Sequence, residues 1–176
     1  MKNKIIISLF LTAVILAFSS TAVFSQTKVG YIDSKKIIDN MQEAKDAKVK
    51  LDELVSQWQK ELNTLQDSLK RYKEDFDKKK LILSEQLKLQ YETNIKNLES
   101  TVSNFRVQKF GEGGEYFQKQ TEFMKPVQDR VFKAIETVAL KEDFDYVFDR
   151  NSDLLLLYVN EKYDVTLKVQ RVIEGK

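Results

Sequence analysis

LDELVSQWQKELNTLQDSLKRYKEDF, residues Leu51 to Phe76, decides the fold. Its apolar residues Leu51, Val55, Trp58, Leu62, Leu65, Leu69, Tyr72 and Phe76 follow one another at spacings of 4, 3, 4, 3, 4, 3 and 4. A repeat of 3.5 residues keeps one narrow apolar stripe turned toward a partner helix, which is what a coiled coil requires. A helix lying on a globular core carries a wider apolar face. The residues between the seam positions are mostly Lys, Glu, Asp, Gln and Ser, so the segment reads as a long solvated rod.

Working outward, the pattern breaks over residues 77–83, where Lys78, Lys79 and Lys80 abut Leu81, Ile82 and Leu83. Ser84 is placed to cap a new helix, with Glu85 near its positive end. A second seam then runs Leu87, Tyr91, Ile95, Leu98, Val102 and Phe105. It loosens at Gly111-Glu112-Gly113-Gly114 and resumes with Phe117 and Met124. The sole proline, Pro126, suits the first turn of a further helix that buries Val127, Val131, Ile135 and Val138. As helices, residues 43–80 and 84–124 would extend roughly 57 and 62 Å. Two rods of matched length joined by a few residues describe an antiparallel hairpin whose ends return to one place.

At that place the pattern changes. Residues 28–33 read as a strand, and Asp33 or Ser34 caps a short helix through Ile37 and Ile38. Tyr146–Phe148 and Leu154–Val159 read as a β-hairpin able to pair with that strand. Asp164 is placed to cap a last helix carrying Val165, Leu167 or Lys168, Val169, Val172 and Ile173. The expected fold is α+β, mainly α: a long antiparallel coiled-coil hairpin (43–125, tip near 78–84) projecting from a small β-containing body (26–42 plus 126–176). Three short strands leave open edges, so the body is expected to be shared between subunits of a homo-oligomer.

The first 25 residues are expected to be a cleavable signal peptide. Lys2 and Lys4 precede the apolar run Ile5–Phe18, and Val23 and Ser25 suit cleavage before Gln26. Cleavage after Ala22 and an uncleaved anchor are the alternatives. Without the leader the chain balances 27 basic against 27 acidic residues. A strong electrostatic case for nucleic acid or membrane binding therefore fails at the whole-protein level. The chain has no Cys and no His, which removes disulfides, thiolate nucleophiles, the usual zinc sites and imidazole acid–base chemistry. No catalytic carboxylate pair is recognisable, and neither an enzyme, a metal site nor a cofactor is expected. Trp58 and most other aromatic residues fall on the seams and read as packing.

With the opening Lys28-Val29-Gly30-Tyr31-Ile32-Asp33-Ser34, the Leu83-Ser84-Glu85 start of the returning arm, Val131-Phe132-Lys133-Ala134-Ile135, and the closing Tyr158 and Lys162-Tyr163-Asp164-Val165-Thr166, the sequence resembles the Skp (OmpH) family of periplasmic chaperones. The resemblance spans the whole chain after the leader, and the order of these pieces around the hairpin is more specific than any one of them. It implies a homotrimer in which strands form a joint body and the arms surround a central cavity. Unfolded outer-membrane proteins would be held there without ATP. In keeping with this, Gly111–Gly114 lacks the Lys-Ser/Thr of a phosphate loop. One departure is charge, since the best-known members are strongly basic and this chain is neutral after the leader. Long-range attraction of acidic clients or lipopolysaccharide is accordingly not carried over.

Two local features stand out. Residues 70–88 hold seven basic and four acidic side chains, which makes the arm tip cationic beside Leu81-Ile82-Leu83. The tip residues Lys78, Lys79, Lys80, Leu81, Ile82 and Leu83 are candidates for contact with unfolded chains or with a membrane surface. Alternatively, the three apolar residues close the coiled coil while the lysines keep it soluble. Gly111, Gly113 and Gly114 form a candidate hinge in the arm, or else a local irregularity or a close approach between arms. The rival to a chaperone is a structural coiled-coil spacer or adaptor of the cell envelope.

Overall fold

A computed structural model describes residues 27–153 and 156–176; residues 1–26, with the expected signal peptide, and Leu154–Leu155 lie outside the described residues. Strand β1 (Val29–Ile32) leads into helix α1 (Ser34–Asn40), where the Asp33 carboxylate accepts the Lys36 N–H at 2.9 Å. Helix α2 (Gln42–Lys79) begins after the single extended residue Met41 and runs unbroken for 38 residues. The chain returns through α3 (Glu85–Phe110) and α4 (Glu115–Lys141), then forms β2 (Tyr146–Asp149), a 3-10 turn at Glu161–Tyr163, and α5 (Thr166–Ile173).

The seam is where its period places it. Leu51, Trp58 and Leu62 are buried on α2, while Val55, Leu65, Leu69, Tyr72 and Phe76 are half-buried. Opposite them on α3, Tyr91, Ile95, Leu98, Val102 and Phe105 are half-buried and no residue is fully buried, while Leu87, expected to open this seam near the tip, is 45 % exposed. Two helices alone cover only one side of each other, so the distal arm has a seam but no core. Near the tip, Tyr91 stacks on Phe76 at 5.4 Å and lies 5.1 Å from the Tyr72 ring. Its hydroxyl donates to Asp75 at 3.0 Å, and the Asn94 amide donates to the Tyr72 hydroxyl at 2.8 Å.

Ser84 caps α3 as expected, accepting the Leu87 N–H. Pro126 departs from expectation. It lies inside α4 rather than in a first turn. Proline in a helix interior leaves the carbonyl four residues earlier without its donor and costs about 3 kcal/mol relative to alanine. The exposed position of Pro126 lets water serve that carbonyl. The buried stripe Val127, Val131, Ala134 and Val138 holds the helix together across it. Ala134 takes the deep position expected for Ile135, which is half-buried.

The core sits at the chain ends. Ile32, Ile37, Met41 and Ala44 meet the α4 stripe and Val165, Val169 and Ile173 of α5. On α5, Leu167 points away and is 57 % exposed. Arg130 ties the elements outside the core by pairing with Glu43 and donating to the Ile173 carbonyl at 2.6 Å.

The sheet corrects the expected β-hairpin. β2 pairs directly with β1, in parallel, with Val29 opposite Tyr146 and Ile32 opposite Asp149. Parallel strands need a long crossover, and here the crossover is the entire arm. Residues 156–159 form no strand. The chain bends after β2 because Asp149 accepts the Ser152 N–H on its carbonyl at 3.2 Å and the Asn151 N–H on its carboxylate at 3.0 Å. It rejoins β1 only at a bridge from Asp164 to Tyr31.

The turn between α3 and α4 is ordered and specific. Gly113 has φ +69°. A Cβ at Gly111 would stand 2.5 Å from the Val107 carbonyl oxygen, and one at Gly114 would stand 2.8 Å from that of Gln108. Lys109 spans the turn to Glu115 at 2.6 Å, with its ammonium 5.2 Å from the ring centroid of buried Trp58. Phe110 meets the same ring edge-on at 6.0 Å. Alanine here therefore displaces the turn as well as favouring helix. Gly113→Ala is expected to cost about 1–2 kcal/mol, and Gly111→Ala more. Both should shift the fluorescence of Trp58, the only tryptophan, in thermal unfolding.

The junction of β1, α1 and β2 is held by two carboxylates. Bonds from Lys36 N–H and Asn151 hold Asp33 below the usual carboxylate range. Burial pushes Asp149 up, but bonds from Ser34 and Asn151 outweigh it and leave it lowered. A lowered folded pKa contributes stability that is present above the unfolded value of about 3.9 and is lost as pH falls through the folded value. Acid unfolding should therefore begin below that value. Asp33→Ala should cost about 1 kcal/mol at neutral pH through the lost cap, and the gap to wild type should narrow in acid melts.

Candidate functional site

The surfaces available for binding follow from what two helices and a two-stranded sheet leave uncovered. Lys78 and Lys79 close α2, Lys80 is its C-cap, and Ile82 N–H returns to the Lys79 carbonyl at 2.9 Å. That tight turn drives Leu81 and Ile82 outward, 90 % and 84 % exposed, while Leu83 is half-buried. Lys79 pairs with Asp75 at 2.8 Å and Lys80 with Asp77 at 3.0 Å. The Lys79 and Tyr91 bonds hold Asp75 below the usual carboxylate range. Lys78 makes no ion pair among the described residues. All six tip residues named from sequence thus meet at one end of the hairpin. The three glycines lie elsewhere, at the α3–α4 turn against the Trp58 ring.

Along the arm, apolar side chains outside the seam are exposed at Val49 on α2 and at Leu89 and Val107 on α3, and Phe117, expected to resume the seam at the start of α4, is instead 46 % exposed. Charged and hydroxyl side chains separate them. At the arm root, Ala44, Ala47, Leu51, Phe123 and Met124 line a groove of about 500 Å3 between α2 and α4. The small Ala44 and Ala47 leave this room where larger seam residues would fill it.

The body leaves more uncovered. A cavity of about 850 Å3 opens between the start of β1 and residues 156–163. Tyr146 and Phe148, two residues apart on β2, stack at 6.4 Å and are 60 % and 40 % exposed. Leu157 and Tyr158 are 88 % and 83 % exposed. Sequence reasoning placed Leu157 and Tyr158 in a paired strand and did not single out exposed Phe132 and Leu140. The signal for those two was their position off the α4 stripe.

Chemically, these surfaces are apolar and hydrogen-bonding, with a lysine cluster at the tip. Among the described residues no cluster of three or more Asp or Glu is arranged to hold a metal ion. No described helix is long and apolar enough to cross a membrane.

Comparison with known proteins agrees with this architecture. The family model described as outer membrane protein (OmpH-like) matches residues 28–173. An uncharacterized protein of Aquifex aeolicus is 28 % identical over 143 residues, covering 81 % of this chain and 83 % of its own. A crystal structure from Caulobacter crescentus, assigned provisionally as an OmpH-like outer membrane chaperone, shares the fold with a TM-score of 0.68 at 16 % identity. That match covers 84 % of this chain and 83 % of the other. With the matched segment running from the first residues of β1 to the last of α5, the chain belongs to the OmpH-like (Skp) family.

Proposed function

We propose that this protein is an ATP-independent periplasmic holdase, exported by a cleavable signal peptide, that binds unfolded outer-membrane proteins between the arms of a homotrimer and prevents their aggregation. The observation that carries the reading is the unfinished state of the isolated subunit. A body with a two-stranded sheet, an edge strand β2 and exposed Tyr146, Phe148, Leu157 and Tyr158 lacks the cover that a stable sheet needs. Neighbouring copies of the same surface supply that cover. Joined at their bodies, three subunits would place their paired rods around a shared space.

The arms suit a client with no fixed shape. Val49, Leu89, Val107 and Phe117 offer isolated apolar contacts among polar residues. Many weak contacts select no one client geometry, as promiscuous binders require. Family membership supports a chaperone role, and the OmpH-like relatives support outer-membrane clients. The reading assigns the chain no catalytic step and no cofactor.

The neutral balance after the leader predicts that capture depends little on salt, because long-range attraction contributes little. Light scattering with a denatured outer-membrane β-barrel protein tests the proposal. Aggregation should be suppressed near one trimer per client, without nucleotide, at low and high ionic strength alike. Sedimentation should show a trimer. Unaltered aggregation, as expected of a spacer or adaptor, or a stable folded monomer at micromolar concentration, would overturn it.

A further inference from the structure

Sulfur stands at two positions of the described residues, Met41 and Met124, and the chain has no cysteine. The fold treats the two thioethers differently. Met41 borders a recess of about 260 Å3 but is itself 5 % exposed and belongs to the core. Met124 is half-buried; it packs against that core and also lines the larger groove between α2 and α4. A thioether is a nucleophile that two-electron oxidants convert to a sulfoxide, with no base or charge needed to activate it. Access therefore decides which sulfur reacts, and burial closes Met41 where the groove opens Met124. Trp58, the next most oxidisable side chain, is buried against Lys109 and Phe110.

The groove also decides what the product meets. A sulfoxide oxygen is a strong hydrogen-bond acceptor, and a closed apolar core would leave it without a donor. Here Ala44 and Ala47 leave a space of about 500 Å3 whose lining includes Gln120, Lys45 and Lys48, all hydrogen-bond donors. Gln120 lies one turn before Met124 on α4, while both lysines lie across the groove on α2. Neither lysine makes an ion pair among the described residues. Both walls thus offer donors to an oxygen that the native thioether does not carry.

We propose that Met124 is a redox-modification site, converted to its sulfoxide by hydrogen peroxide with the fold intact, the new oxygen accepting hydrogen bonds across the groove from α2. In that step a sulfur lone pair attacks one peroxide oxygen. The S–O bond forms as the O–O bond breaks, and the displaced hydroxide leaves as water after taking the proton from the sulfur-bound oxygen. Sulfur loses two electrons and the peroxide gains them. A methionine sulfoxide reductase reverses the change at the expense of a dithiol, which becomes a disulfide as the oxygen departs as water. The inference does not rest on the holdase reading, because it needs only the groove and the two sulfurs.

The test is peptide mapping by mass spectrometry after graded exposure of the native protein to hydrogen peroxide. Met124 should gain one oxygen about tenfold faster than Met41 or more, because a core sulfur reacts only when the core opens. In denaturant the two rates should converge. Circular dichroism should stay unchanged on modification, and sulfoxide reductase with dithiothreitol should restore the original mass. Thermal melts then test the donors. Replacing Lys45 and Lys48 together by Ala should enlarge the fall in melting temperature that oxidation causes, and Met124→Leu should abolish that fall. Equal native rates at the two methionines, or Met41 ahead of Met124, overturn the proposal. Loss of helix on oxidation, or a melting shift that the lysine substitutions leave unchanged, overturns it as well.

Discussion

One narrow apolar stripe, repeating every 3.5 residues on α2, governs the molecule. It is wide enough to pair with one returning helix and too narrow to build a core around. Hence the chain projects as a two-helix rod. The apolar residues that can form a three-dimensional core are confined to the chain ends, where α1, α4, α5 and β1 converge. The parallel pairing of β1 with β2 then makes the whole rod the crossover between adjacent strands. Arm and body are in this sense one connection, and neither end of the chain completes the sheet without the other.

Burial grades steeply along that connection. Val127, Val131, Ala134 and Val138 are buried at the base of α4, while α3 buries no residue at all. Regions with little buried apolar surface open at a lower free energy than the core. The arm can therefore flex at a cost the body never meets, and the Gly111–Gly114 turn lies between the two regimes. Lys109, Glu115 and Trp58 hold that turn in one geometry.

How far this was legible in sequence follows the range of the forces involved. The seam from Leu51 to Phe76, the Ser84 cap and the Asp33 cap depend on residues within a few positions of one another, and the chain states them directly. The partner of Tyr146–Asp149 does not. Local β propensity offered Leu154–Val159 as its hairpin mate, whereas the crossover through α4 delivers β2 alongside β1. Pro126 misled for the same reason. Its local meaning is a helix start, but a buried valine stripe on the other side of the helix outweighs the lost hydrogen bond. The expected signal peptide, residues 1–25, and Leu154–Leu155 lie outside what the structure describes.

The tip shows where sequence leaves two physical meanings for the same residues. An apolar triplet after three lysines is as consistent with a plug at the end of a coiled coil as with an exposed contact surface. What separates them is whether other residues already close the seam. Phe76, Tyr72 and Tyr91 do so through ring contacts, and Asp75 fixes Tyr91 and Lys79 at once. With the end sealed from below, Leu81 and Ile82 contribute nothing to the pairing of the helices. Their exposure is then a property of the turn itself, and the loss of apolar burial it entails has no compensation within the subunit. That uncompensated exposure, on a joint made rigid by the contacts beneath it, is the physical ground for seeking the tip's partner outside the chain.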